Sequence, residues 1–113
     1  MASDDPIPAG VRRLLEQRFR SVSQVEAFVL LVREDRSVSA DDAAHALGLG
    51  VKHVIDLLDE LVDEKLLRTV DGRYQVAELT AARRRTVDEL AQLYSRFRLR
   101  IMDIVLAVPR DQA

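Results

Sequence analysis

The chain contains no cysteine, no tryptophan and only two histidines. Without cysteine there are no disulfides, thiol nucleophiles or thiolate metal sites. His45 and His53 are separated by an expected helix break, and no third ligand stands at a metal-binding spacing. The sequence therefore predicts neither a metal nor any other cofactor.

Long apolar runs are missing as well. The stretch IMDIVLAV at 101–108 is far shorter than the ~20 residues of a membrane-spanning helix. The acidic N-terminus MASDDPIPAG lacks the apolar core of a signal peptide. Neither a glycine-rich phosphate loop nor a nucleophile with its base is recognisable. We therefore expect a cytoplasmic protein that has no membrane segment and is not an enzyme.

The composition that remains is typical of a helical domain. The 113 residues are 48% apolar and 32% charged, which is enough apolar material for the core of one domain. Prolines and a glycine in residues 1–10 predict a flexible lead-in. A helical spacing of apolar residues then predicts an amphipathic helix over 11–22. Its apolar positions are Val11, Leu14, Leu15 and Phe19.

Capping signals predict where the next two helices begin. Ser23 followed by Glu26 has the spacing of a capping box and should open an apolar helix. Ser39 followed by Asp42 repeats the signal for a second helix. Gly48 is placed to end that helix in the left-handed conformation.

A fourth helix is predicted over 51–65, with one apolar face and one charged face. Its apolar face consists of Val51, Val54, Ile55, Leu58, Leu61 and Val62. Asp71-Gly72 then separates two β-prone runs, LLRTV and RYQVA, which predicts a two-residue hairpin turn. Ser37 and Val38 are expected to form a very short strand.

The segment VSADDAAHALGLGVKHVIDLLDELVDEKLLRTVDGRYQV resembles the winged helix-turn-helix domains of small bacterial regulators, broadly those of the MarR and PadR type. Apolar spacing, the Leu66-Leu67 entry to the hairpin and the Asp71-Gly72 tip carry the resemblance. It implies a mostly α fold with a small β-hairpin wing over 23–79, and a DNA-binding transcription regulator in which helix 51–65 reads DNA.

Residues 80–108 contain no glycine or proline, and a short tail, 109–113, follows. Seven apolar residues alternate at spacings of three and four, as in the heptad seam of a coiled coil. They are Val87, Leu90, Tyr94, Phe97, Ile101, Ile104 and Val108. We expect one helix of about 42 Å that pairs two subunits into a homodimer. The alternative is that the same face folds back on its own domain.

Charge argues against strong DNA binding. Residues 23–79 carry six basic and twelve acidic side chains, a net charge of −6, whereas residues 80–113 are at +3. Since DNA affinity depends on neutralising phosphates, the predicted winged domain starts at a disadvantage. The candidate DNA contacts are Lys52, His53, Arg68, Arg73, Arg83, Arg84 and Arg85.

Two functions stay open from the sequence. The first is a dimeric DNA-binding regulator that contacts double-stranded DNA through these cations. The second is a protein-interaction module that docks the acidic face of helix 51–65 onto a basic protein partner, with little or no DNA binding. That acidic face consists of Asp56, Asp59, Glu60 and Asp63.

Overall fold

A computed structural model describes residues 5–109. This part of the chain is mostly helical, with one small antiparallel hairpin. The elements are α1 (Ala9–Arg18), α2 (Val22–Glu34), α3 (Ala40–Leu47), α4 (Val51–Asp63), β1 (Leu67–Val70), β2 (Arg73–Val76), α5 (Ala81–Arg96) and α6 (Arg98–Ala107).

The lead-in to α1 is anchored from residue 5 onward. Ile7 is only 4% exposed. Asp5 Oδ2 accepts hydrogen bonds from Arg100 at 2.8 Å and from Arg12 at 3.0 Å. The hydrogen bond from Arg100 favours the carboxylate and holds the pKa of Asp5 below its ordinary value. Residues 9 and 10 of the predicted lead-in 1–10 therefore belong to α1, and residues 1–4 lie outside the described part.

Helix α1 is shifted toward the N-terminus relative to the predicted range 11–22. It begins directly after Pro8, whose φ of −60° already suits a helix start, and it ends at Arg18. Phe19 leaves the helix in an extended conformation and remains 1% exposed. Its ring packs 5.5 Å from that of Phe28 in α2. Helix α1 ends at Arg18, before the predicted end at 22, because the chain turns at Phe19 to form this aromatic contact and the N-cap of α2.

The N-cap of α2 is Ser21. The predicted N-cap, Ser23, is wrong because it lies two residues further along the chain, inside the helix. Ser21 Oγ accepts from the backbone amide of Gln24 at 3.2 Å. Gln24 Oε1 in turn accepts from the backbone amide of Arg20 at 2.7 Å. The Ser-x-x-Gln spacing at 21–24 thus competes with Ser-x-x-Glu at 23–26, and the earlier signal wins.

The predicted ends of α3 are confirmed. Ser39 Oγ accepts from the backbone amide of Asp42 at 3.0 Å. Gly48 ends the helix with a φ of +69°, a conformation that side chains with a Cβ rarely adopt. A turn of two residues then leads into α4.

The hairpin predicted at Asp71-Gly72 is confirmed. Val70 pairs with Arg73 across the turn, and both turn residues have positive φ, 53° at Asp71 and 76° at Gly72. Val38 forms a single antiparallel bridge with Tyr74, so the short strand predicted near residue 38 lies beside β2, opposite β1.

Helix α2 lies at the centre of the fold and packs against α3, α4, α5, α6 and β2. The apolar side chains of this helix that are buried include Val25, Phe28, Val29, Leu31 and Val32. Because helices cover this helix on several sides, it buries apolar residues around most of its circumference.

The single helix predicted over 80–108 is wrong. Phe97, with φ −127° and ψ 40°, separates α5 from α6. Neither glycine nor proline marks this position. Tertiary contacts of α6 favour the bend instead, because α6 packs against α1 and Arg100 forms its bidentate pair with Asp5. The predicted tail 109–113 lies outside the described residues except for Pro109.

The predicted heptad seam faces the chain's own helices. Helix α5 packs on α1 and α2, and α6 packs on α1 and α2. Five seam residues are buried, namely Val87, Leu90, Tyr94, Ile101 and Ile104, and Phe97 and Val108 are half-buried. This is the arrangement of the folded-back alternative. The large apolar residues that α6 leaves exposed are Leu99 and Leu106.

Candidate functional site

The first turn of α4 presents an exposed and cationic surface. Lys52 and His53 are exposed, and Val51, which the sequence places on the apolar face, is 40% exposed. The N-cap residue Gly50 supplies no side chain to the free backbone amides of this turn. Lys52 Nζ lies 3.9 Å from Asp56 Oδ2, a long and solvent-exposed ion pair that contributes little stability.

Three carboxylates in the second half of α4 and at its end bond to neighbouring elements. Glu60 accepts a 2.6 Å hydrogen bond from the side-chain amide of Gln24, which is 1% exposed. Asp59 accepts from the Tyr74 hydroxyl at 2.7 Å. Glu64, at the end of the helix, pairs with Arg18 of α1 at 3.1 Å. These three carboxylates therefore fasten α4 to α2, β2 and α1.

The four carboxylates of the predicted acidic docking face therefore fall into two pairs, one bonded within the chain and one not bonded to another element. All four of its members have exposed surface, but Asp59 and Glu60 already hold partners within the chain. Asp56 has only the long contact to Lys52, and Asp63 is exposed. A basic partner would find two carboxylates on this helix that are not tied to another element.

The Tyr74–Asp59 hydrogen bond has a consequence at high pH. Burial, with the hydrogen bond and charge of Asp59, raises the pKa of Tyr74 from 10.0 to about 12. Between these two values the unfolded chain loses the phenolic proton while the folded chain keeps it. The folded state is therefore stabilised by this proton below pH 10, and that stabilisation is lost as pH rises through the window.

As pH rises from about 9 to about 11.5, we expect the titration of Tyr74 to lower the free energy of unfolding by about 2 kcal/mol. Urea denaturation of the native chain and of Tyr74→Phe at matched pH values measures the difference. The variant should be less stable near neutral pH by about 1 kcal/mol, and its decline at high pH should be smaller. Parallel declines of the two proteins would contradict the assignment.

Arg68 and Arg73 lie on the outer face of the hairpin, since residues 68 and 73 point away from buried Leu67 and Tyr74. Arg68 stands opposite Gln75, whose side-chain oxygen, in the amide orientation that satisfies both groups, accepts at 2.7 and 3.0 Å. Arg73 donates to the hydroxyl and carbonyl oxygens of Ser37 at 3.3 and 3.4 Å. Both guanidinium groups are exposed but held by neutral partners.

The run Arg83, Arg84 and Arg85 does not form one basic patch. Arg83 lines a cleft between α1 and α5. Arg84 pairs with Asp88 at 3.1 Å and with Asp35 at 3.7 Å, on the side of α2 and the hairpin. Arg85 is exposed. Successive residues of a helix are rotated by about 100°, so the three side chains diverge.

No protein-family model matches the chain, and no curated protein or solved structure matches it either. Within residues 5–109, no three histidine, aspartate or glutamate side chains gather closely enough to hold a metal ion. None of the helices in that range is both long and apolar enough to cross a lipid bilayer.

The structure thus separates the predicted DNA contacts into three places. Lys52 and His53 lie together at the start of α4, Arg68 and Arg73 lie on the hairpin, and the arginines of α5 point in different directions. The sequence did not indicate that Gln24 and Tyr74 are the partners of the α4 carboxylates Glu60 and Asp59. The Ser-x-x-Gln spacing at 21–24 was the available signal for Gln24.

Proposed function

We propose that residues 22–76 form a winged helix-turn-helix domain and that the chain is a DNA-binding transcription regulator. In this proposal the N-terminal turn of α4 enters the major groove. The observation that carries it is the division of charge on α4. Its first turn is exposed and cationic, whereas Asp59 and Glu60 further along are bonded to the body of the domain.

The order and pairing of the elements support the proposal. Helix α3, a glycine-containing turn and helix α4 follow one another and pack together, as in a helix-turn-helix. The hairpin follows directly, and β2 lies between β1 and the bridge at Val38. In such domains the N-terminal residues of the second helix contact base edges, which selects Lys52 and His53 here.

The cations of the proposed interface are few. Lys52 can donate to a guanine edge or a phosphate, His53 can donate to either, and Arg68 and Arg73 on the hairpin can reach phosphates beside the groove. The net charge of −6 over residues 23–79 opposes this binding. We therefore expect weak affinity for mixed-sequence DNA and a shallow dependence on salt, because few counterions are released.

We further propose that two copies pair through the outward face of α6. Leu99 is 76% exposed and Leu106 is 69% exposed, and they lie two turns apart on the same side of the helix. An antiparallel pair of α6 helices related by a two-fold axis brings Leu99 of one copy against Leu106 of the other.

The test is fluorescence anisotropy with labelled duplex DNA, one of mixed sequence and one from upstream of the chain's own gene, at about 50 and about 150 mM salt. We expect binding to both duplexes at the lower salt. We expect the upstream duplex alone to retain binding at the higher salt, because base contacts are less sensitive to salt than phosphate contacts.

Absence of binding to either duplex at the lower salt would contradict the proposal. The protein-interaction alternative then rests on Asp56 and Asp63, the two α4 carboxylates of the predicted docking face that are not bonded to another element. A basic peptide titrated under the same conditions separates the two functions.

A further inference from the structure

A cleft of about 280 Å³ lies between α1 and the beginning of α5. Three arginines line it, Arg13 and Arg18 from α1 and Arg83 from α5. The other lining residues are neutral, namely Gly10, Leu14, Gln17, Thr80, Ala82 and Thr86. A cleft with three cations and no acidic lining residue is unexpected in a chain whose net charge is −2.

The charges in the cleft are only partly balanced. Arg18 pairs with Glu64 at 3.1 Å, outside the lining residues. Within residues 5–109, neither Arg13 nor Arg83 has an acidic side chain within ion-pair distance. The hydroxyls at the rim are already bonded, since Thr80 accepts from the Arg83 amide and Thr86 donates to the Ala82 carbonyl. The guanidinium groups are therefore the charged groups left to bind a ligand.

The cleft lies at the opposite end of α4 from Lys52 and His53, the DNA contacts proposed in the first turn of that helix. Arg18 joins it to Glu64, which follows the last residue of α4, whereas Lys52 lies in the first turn. The 13 residues of α4 span about 20 Å. A DNA duplex whose major groove contacts Lys52 and His53 is therefore not brought into the cleft by those contacts.

We propose that this cleft binds a small oxyanion, a free phosphate or carboxylate or a small metabolite that carries one. Guanidinium groups bind such groups through paired N–H donors at fixed spacing. The volume matches the lower end of ligand pockets, which span roughly 300–1,000 Å³, so the ligand is small. Bound anion also relieves the mutual repulsion of Arg13, Arg18 and Arg83.

The test uses inorganic phosphate as the probe, added to the full chain at constant ionic strength with chloride as the balancing salt. Isothermal calorimetry and the thermal unfolding midpoint are measured together. We expect saturable binding with one site per chain and a rise of the midpoint. Arg83→Gln and Arg13→Gln should each weaken binding by about tenfold, the effect of losing one charged partner. Acetate serves as the carboxylate probe.

The control is Arg20→Gln, which removes the same charge from an exposed arginine that does not line the cleft. It should bind phosphate as the native chain does, and circular dichroism confirms the fold of each variant. Saturable binding of phosphate or of acetate supports the site, and the tighter probe identifies the class of oxyanion. Equal responses to both probes and chloride, or equal losses in all three variants, would overturn it. Anion binding is measured without DNA, so the outcome is independent of the proposed DNA function.

Discussion

Ile101→Glu is expected to leave the chain unfolded, whereas Leu99→Glu, on the same helix, is expected to leave it folded but monomeric. Ile101 is 1% exposed within the core that α6 shares with α1 and α2. A glutamate there has no partner, and a buried unpaired charge costs several kcal/mol. That is comparable with the whole stability of a small domain, about 5–15 kcal/mol. Leu99 is 76% exposed, so its replacement leaves the core intact.

Circular dichroism on heating measures the fold of each variant, and sedimentation velocity at micromolar concentration measures the mass. The native chain should sediment as a dimer, and Leu99→Glu and Leu106→Glu as folded monomers. The matched control is Gln92→Glu, which adds the same charge at an exposed position of α5 and should stay dimeric. A monomeric native chain, or a dimeric Leu99→Glu, would remove the proposed pairing. A cooperatively folded Ile101→Glu would contradict its place in the core.

Lys52→Glu is expected to weaken binding to the upstream duplex by about thirtyfold or more. One base or phosphate contact is worth about 1–3 kcal/mol, and the reversed charge adds repulsion from the backbone. The effect is large because the proposed interface contains so few cations. Anisotropy at fixed low salt measures the change in the dissociation constant.

The matched control is Lys65→Glu, the same reversal at an exposed residue just past the opposite end of α4. It changes the net charge equally but lies far from the first turn, so it should alter affinity by less than about threefold. Equal losses in the two variants would show that binding follows overall charge. The proposed orientation of α4 on DNA would then be wrong.

The features that the sequence predicted correctly are those set by neighbouring residues. Ser39 with Asp42, the left-handed Gly48 and the Asp71-Gly72 turn each satisfy backbone groups within a few positions. The bend at Phe97 has no such local signal. It depends on contacts between residues far apart in the chain, above all Arg100 with Asp5. Periodicity predicted which side of α5 and α6 is apolar, but it could not say what covers that side.

In the candidate site, too, the features set by neighbouring residues could be predicted from the sequence, and those set by contacts between distant elements could not. The exposure of Lys52 and His53 follows from the amphipathic pattern of α4. The partners of its carboxylates do not, because Gln24 and Tyr74 belong to other elements. Composition alone therefore could not show which of the exposed carboxylates of this helix hold partners within the chain. The divergence of Arg83, Arg84 and Arg85 was accessible from helical geometry, which a count of charges ignores.

The pairing of Asp5 with Arg100 joins residues 95 positions apart. During translation α1 emerges before α6, and the face that α1 buries against α6 has no partner until α6 has left the ribosome. The full core of these helices therefore closes only after α6 has been made and the long intervening segment has been ordered. Nascent chains that stop before residue 98 leave the α6-facing apolar side of α1 uncovered, the kind of surface that chaperones bind and that aggregates when they do not.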